Sequence, residues 1–151
     1  MTYPARATEG ILNLPPEPEV ILLKIPAQQK YLETVSACLQ AVLERVEAIE
    51  AEQIFAVKLA VHEACANIIE HAYRFSEGRI TVHISLYQQP GSIVIDLFDT
   101  GRKAALEEVR PPNLEQPQVK GYGLFLMQQL LDSVEYLPEA DGNHWRLEKK
   151  F

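Results

Sequence analysis

The chain reads as an α+β domain: a two-layer sandwich in which a mostly antiparallel mixed sheet carries its helices on one face. Three observations lead there. Strand patterns come in runs instead of alternating one by one with helices. The segments Arg79–Tyr87 and Ser92–Phe98 are joined by a short Pro90-Gly91 turn, as in a hairpin. Between the runs the apolar spacing changes from a period of two to helical spacing and back.

The elements follow in order. Residues 1–19 hold Pro4, Pro15, Pro16 and Pro18 and read as an irregular arm, with at most a short strand near Ile11–Leu14. The remainder, 20–151, reads as one domain. Val20–Ile25 is a strand closed by Pro26. Gln28–Ile49 has helical spacing at Leu32, Val35, Leu39, Val42, Leu43 and Val46. Ala51–Tyr73 is a second helix, apolar at Phe55, Val57, Leu59, Val61, Ala64, Ala66, Ile68 and Ile69, and so expected to be buried. Arg79–Tyr87 alternates, with Ile80, Val82, Ile84 and Leu86 inward and Arg79, Thr81, His83 and Ser85 outward. Residues 102–119 break the pattern with Pro111, Pro112, Pro117 and many charges, and only Ala104–Val109 has helical spacing. A loop of that length inside a compact domain is usually functional or mobile. Gly123–Leu131 is a third helix with Leu124, Met127, Leu130 and Leu131 inward. Ser133–Leu137 and His144–Lys149 form a last hairpin around Asp141-Gly142-Asn143. The other face of the sheet is left partly open as a candidate partner surface.

Bulk properties narrow the function. A chain of 151 residues with 47% hydrophobic content is long enough for a real core. Its net charge of −7, from 21 acidic and 14 basic residues, argues against a nucleic-acid binder, which carries a basic face. It leaves a nucleotide open, because backbone amides and a metal hold phosphates without a basic surface. No stretch has the ~20 apolar residues of a membrane span, and the start Met-Thr-Tyr-Pro-Ala-Arg lacks the apolar core of a signal peptide. Cys38 and Cys65 fall in helical patterns and read as buried thiols of a reducing compartment, so a cytoplasmic protein is expected.

The chemistry-bearing residues lie at three places. Glu63, Asn67 and His71 are spaced by four, which puts them on one polar stripe of an apolar helix. An Asn oxygen suits a Mg²⁺ that keeps waters and phosphate oxygens as its other ligands. A Glu one turn earlier suits proton abstraction from an attacking hydroxyl. His62-Glu63 is not a metalloprotease signature, because no His stands at position 66. Asp99-Thr100-Gly101 ends a strand: the Asp is either a turn former or an acceptor for the adenine amine, with Gly101 letting the base approach the backbone. Gly121-Tyr122-Gly123 opens a helix, where free N–H groups and the helix dipole attract phosphate. It is neither a Walker A loop nor a dinucleotide fingerprint. Each piece alone is common; their order and spacing are not.

In that order the three motifs resemble the N, G1 and G2 boxes of the GHKL ATP-binding superfamily of gyrase, chaperone, histidine-kinase and mismatch-repair ATPases. Leu-Ala-Val-His-Glu-Ala-Cys-Ala-Asn-Ile-Ile-Glu-His-Ala-Tyr, residues 59–73, is most similar to the stand-alone anti-sigma-factor serine kinases of bacteria. The resemblance implies that 20–151 is a histidine-kinase-like ATP-binding domain and that ATP and Mg²⁺ are its cofactors. It makes Glu63 the catalytic base, Asn67 the Mg²⁺ ligand and Asp99 the adenine reader. Gly101, Gly121 and Gly123 would lie along the nucleotide, His71 near its sugar or phosphates, and 102–119 would be the ATP lid. It further implies a serine/threonine protein kinase that phosphorylates a small antagonist protein, holds a sigma factor, and forms a homodimer. Three places depart from the family: Arg102-Lys103-Ala104 follows Gly101 where Pro-Phe is frequent, Lys120 stands where a further Gly is frequent, and Asn143-His144-Trp145 occupies a region that often holds a Thr. The competing reading is a non-catalytic partner-switching module that sequesters a regulatory protein. A pure binder has no need of the base, which favours the kinase.

Overall fold

The computed structural model of the chain describes residues 16–104 and 122–151. Strand β1 (Glu19–Pro26) is followed by a 3₁₀ turn (Gln29–Tyr31), helix α1 (Leu32–Leu43) and helix α2 (Ala51–Asn67). A π-helical turn (Ile68–Ala72) extends α2, and then come β2 (Arg79–Gln88) and β3 (Gly91–Asp99). Helix α3 (Tyr122–Leu130), β4 (Ser133–Glu139) and β5 (Gly142–Lys150) complete the domain. The five strands make one sheet in the order β1-β2-β3-β5-β4. All four pairings are antiparallel, so among the described strands the sheet has no parallel component. The arm up to residue 15, Gly121 and the expected lid beyond Ala104, including the helical possibility at Ala104–Val109, lie outside the described residues.

The strand period of two sorts the sheet into two chemically different faces. Ile80, Val82, Ile84 and Leu86 of β2, Ile93, Ile95 and Leu97 of β3, and Trp145 and Leu147 of β5 are buried against the helices. Each such aliphatic side chain stabilises the fold by about 1.5–3 kcal/mol relative to exposure. From the helical layer come Leu32, Val35, Leu39 and Leu43 of α1, Val57, Ala60, Val61 and Ala64 of α2, and Leu124 and Met127 of α3. The opposite face is polar at its centre. Asp96 of β3 accepts from His144 Nε2 at 2.6 Å and from Arg146 Nη1 at 3.1 and 3.2 Å, and Phe98 stacks on the His144 ring at 4.2 Å. At its β1 edge Val20 and Leu22 are both 59% exposed. This is the open surface that the strand pattern left unassigned.

Helix boundaries differ from the sequence expectation in physically readable ways. The segment Gln28–Ile49 starts as a 3₁₀ turn and its α-helix stops at Leu43. Arg45 and Val46 close i→i+3 bonds back to Val42 and Leu43, and Ala48 takes φ 60°, the left-handed conformation that ends helices. The next helix begins with a capping box in which the Gln53 side chain accepts from Glu50 N at 3.1 Å and Glu50 caps the Gln53 amide. Lys58 Nζ donates to Gln40 Oε1 at 2.9 Å and ties α2 to α1. The apolar run of α2 does not bury every member: Phe55 is 63% exposed, and Leu59 and Ala66 are half-buried. Those positions lie on the α2 face that also carries Glu63 and Asn67, so this face borders a site instead of the core. Of the two thiols, Cys65 is fully buried and burial pushes its pKa up to about 12, whereas Cys38 is only half-buried.

Candidate nucleotide site

Helix α2 positions Glu63 and Asn67 one turn apart, both half-buried, on the side that packs against α3. Gly123 lies directly over them. A methyl group at that position would stand 3.1 Å from Asn67 Nδ2 and 3.4 Å from Glu63 Oε2. The absence of a side chain there lets the α3 backbone come close to the carboxylate and the carboxamide. Asn67 and Gly123, 56 residues apart in sequence, thus meet.

His71 follows a change in the backbone. From Ile68 the backbone ladder changes to i→i+5, with Tyr73 N donating to Ile68 O at 3.1 Å. A π turn has slightly more than four residues per turn, so His71 keeps roughly the angular position of Asn67 one turn further on. His71 Nε2 lies 4.0 Å from Glu70 Oε2.

The widened turn has its own purpose. It ends in Tyr73, whose hydroxyl donates to Arg79 O at 2.6 Å and accepts from Thr100 N at 2.9 Å. Beyond it Arg74 and Phe75 take φ 52° and 60°, a left-handed stretch that costs about 1–2 kcal/mol per residue and reverses the chain. Arg102 N also donates to Ala72 O at 2.9 Å. The end of the helix therefore fixes the Asp99-Thr100-Gly101 turn. Gly101 is required by this packing before any ligand is considered: a Cβ there would stand 2.6 Å from the carbonyl carbon and oxygen of Ala72.

Asp99 ends β3 on the inner face and is 5% exposed. Its Oδ1 accepts from Gly101 N at 2.9 Å and from Asn143 Nδ2 at 2.8 Å. Its Oδ2 is buried and has no hydrogen-bond partner among the described residues. A buried acceptor left unpaired is costly, and an incoming donor such as the exocyclic amine of adenine satisfies it. Burial raises the Asp99 pKa, and the bonds from Asn143 and Gly101 offset part of that rise. At the metal end, the described residues contain no cluster of three His, Cys, Asp or Glu side chains. Asn67 offers a single carboxamide oxygen, which fits Mg²⁺ carried in on phosphates with its waters. Both ends of the site therefore suit a Mg-nucleotide.

The sequence did not single out Asn143, Tyr136 or Tyr73. Asn143 is 2% exposed and stands opposite Asp99 in the β3–β5 register. Gly142 before it makes that approach possible, since a Cβ there would lie 1.9 Å from Asp99 O. Only the departure from the family's Thr at this place hinted at a role.

An α+β sandwich with a buried, half-unpaired carboxylate at a strand end and a Glu/Asn stripe under Gly123 defines the class. The chain belongs to the family of the histidine kinase-like ATPase domain, whose model matches residues 25–149. Among individual proteins it is 29% identical over 126 residues to the serine-protein kinase RsbW of Bacillus cereus (strain ATCC 10987 / NRS 248), covering 79% of this chain and 78% of that one. The RsbW of Bacillus thuringiensis (strain Al Hakam) matches over the same shares, also at 29% identity. Two solved structures share the fold. One is the crystal structure of the RsbU and RsbW domains of Rv1364c from Mycobacterium tuberculosis, with TM-score 0.62 and 19% identity over 87% of this chain and 31% of that one. The other is the histidine kinase domain of the Erythrobacter litoralis EL346 blue-light activated kinase, with TM-score 0.53 and 16% identity over 83% of this chain and 61% of that one.

Proposed function

We propose that the protein is an ATP-dependent serine/threonine protein kinase of the anti-sigma type. Its substrate is a serine on a small antagonist protein, and its second partner is a sigma factor. The observation that carries this reading is the pairing of Glu63 with Asn67 beneath Gly123, the three brought together from two segments far apart in sequence. Relatives named as serine-protein kinases support it.

Bound Mg-ATP supplies the phosphoryl group. Asp99 and the Gly101 turn hold the base end, Asn67 provides one oxygen to the metal, and Gly123 leaves room for phosphate against the α3 backbone. Glu63 accepts the proton of the attacking serine hydroxyl. His71 and Gly121 belong to the same site in this reading, near the sugar or phosphates. The phosphoserine then carries roughly two negative charges into the antagonist interface and opens it by repulsion and desolvation. The released kinase is free to hold the sigma factor. No nucleic acid is contacted directly, and the work is done in the cytoplasm. Among the described residues no helix is long and apolar enough to cross a membrane.

The first test is thermal. A ligand at ~100 times its Kd adds about 2.7 kcal/mol to the native state, which for a domain of this size raises Tm by roughly 5–10 °C. Saturating Mg-ATP or Mg-ADP is expected to give that shift, and an unchanged melt counts against a working site. We also propose a homodimer. The apolar edge of the open sheet face, Val20 and Leu22, supports a contact there. Light scattering at high micromolar concentration is expected to give twice the chain mass, and a monomer at that concentration removes the dimer.

A further inference from the structure

We propose that Asn143 is the positioning residue that gives the base pocket its preference for a 6-amino purine, by fixing which oxygen of Asp99 faces the base. The proposal rests on the nucleotide-binding reading above and deepens it.

A carboxamide has two donors and two acceptor lone pairs, and Asn143 uses all of them. Its Nδ2 donates to Asp99 Oδ1 at 2.8 Å and to Arg102 O at 2.9 Å. Its Oδ1 accepts from Ala104 N at 3.2 Å and from the Tyr136 hydroxyl. Turning the amide over would set its oxygen against a carboxylate and a carbonyl, so one orientation is fixed. With Gly101 N also on Oδ1 at 2.9 Å, that oxygen is fully engaged, and Asp99 can present only Oδ2. An ionised carboxylate is acceptor-only. A purine with a 6-amino group donates to Oδ2, while a 6-oxo purine brings a second acceptor into a buried position. Sites built on a buried hydrogen bond reject the partner that cannot make it by large factors. Here the expected preference for ATP over ITP is about 10²-fold or more.

The same side chain grips the backbone on both sides of Lys103, through Arg102 O and Ala104 N. Tyr136 completes the grip: Ala104 N also lies 3.1 Å from its hydroxyl, and its ring packs on Trp145 at 4.8 Å. Base selection and the hold on residues 102–104 therefore meet in one carboxamide.

The test is calorimetric titration with Mg-ATP and Mg-ITP, together with hydrogen exchange of the Ala104 amide without nucleotide. Wild type is expected to prefer ATP. Asn143→Ala is expected to lower the ATP/ITP ratio at least tenfold and to speed exchange at Ala104. Tyr136→Phe keeps the ring and the Asn143–Asp99 bond, so it is expected to speed exchange at Ala104 while leaving the ratio within about threefold of wild type. Should Asn143→Ala not fold, Asn143→Thr replaces it: one hydroxyl donor serves Asp99 but not Arg102 as well, so selectivity stays and protection is lost. A folded Asn143→Ala with the wild-type ratio overturns the proposal, as does an Asn143→Thr that loses selectivity and protection together. A wild type that binds neither nucleotide fails earlier, at the nucleotide-binding reading itself.

Discussion

Glu63→Gln is expected to lower phosphoryl transfer by about 10²–10⁴-fold, the usual contribution of a general base, while ATP affinity stays within about threefold of wild type. The two effects separate because the side chain is kept in size and loses only its capacity to take a proton. Glu63 is half-buried beside Gly123 and Asn67, so an isosteric amide fits the same space. Asn67→Ala provides the contrast. It removes the one side-chain oxygen assigned to the metal and is expected to weaken Mg²⁺-dependent binding as well as transfer. Calorimetry with Mg-ATP gives the affinity, and γ-labelled ATP with the cognate antagonist gives the transfer. Equal phosphorylation by wild type and Glu63→Gln would take the base role from this residue, whereas no transfer by wild type would return the chain to the class of partner-binding modules.

The two halves of the site differ in how far they can be read without coordinates. Glu63 and Asn67 are visible because helical periodicity converts a spacing of four into a shared face. The same rule gives no warning of the change in ladder beyond Asn67, because nothing in Ile-Ile-Glu-His announces an i→i+5 turn. Helix α1 overran its true end for a related reason: apolar spacing continues through Val46, but the chain has to reverse at Ala48 to let α2 pack back. The alternation in β2 gave its inward residues without error, since a half-buried strand writes its two faces directly into the sequence. Asn143 could not be found that way. It lies 44 residues from Asp99, and only the β3–β5 register sets the two opposite each other. Tyr136 and Tyr73 likewise act through contacts that strand order and helix ends create. Phe55 shows the limit of counting apolar residues: it reads as core, yet it lies exposed on the side of α2 that faces the site.

Asp99→Asn is expected to reverse the base preference of the site. Asn143 Nδ2 and Gly101 N both donate to Oδ1, so the carbonyl oxygen of the new amide takes that place. Its NH₂ group then occupies the position of Oδ2 and meets the 6-amino group of adenine donor to donor. ATP affinity is expected to fall by about 10²-fold or more, and ITP, with an acceptor at that position, becomes the better ligand. The pH dependence has a definite sign. Burial raises the Asp99 pKa above the 3.8 of a free carboxyl, so the fold favours the protonated group. Stability from that preference is present in full below the unfolded value and is lost as pH rises through the raised folded one. Free of nucleotide, Asp99→Asn is therefore expected to gain on wild type as pH rises through that range and to keep a constant advantage above it. In wild type, ATP affinity runs the other way: it rises over the same interval, because only the ionised carboxylate offers Oδ2 as an acceptor. Thermal melts and calorimetric titrations from acid to neutral pH follow both quantities in the same two proteins. Unchanged ATP affinity in Asp99→Asn would remove the base-reading role from Asp99 and leave its buried, unpartnered oxygen without a ligand to explain it.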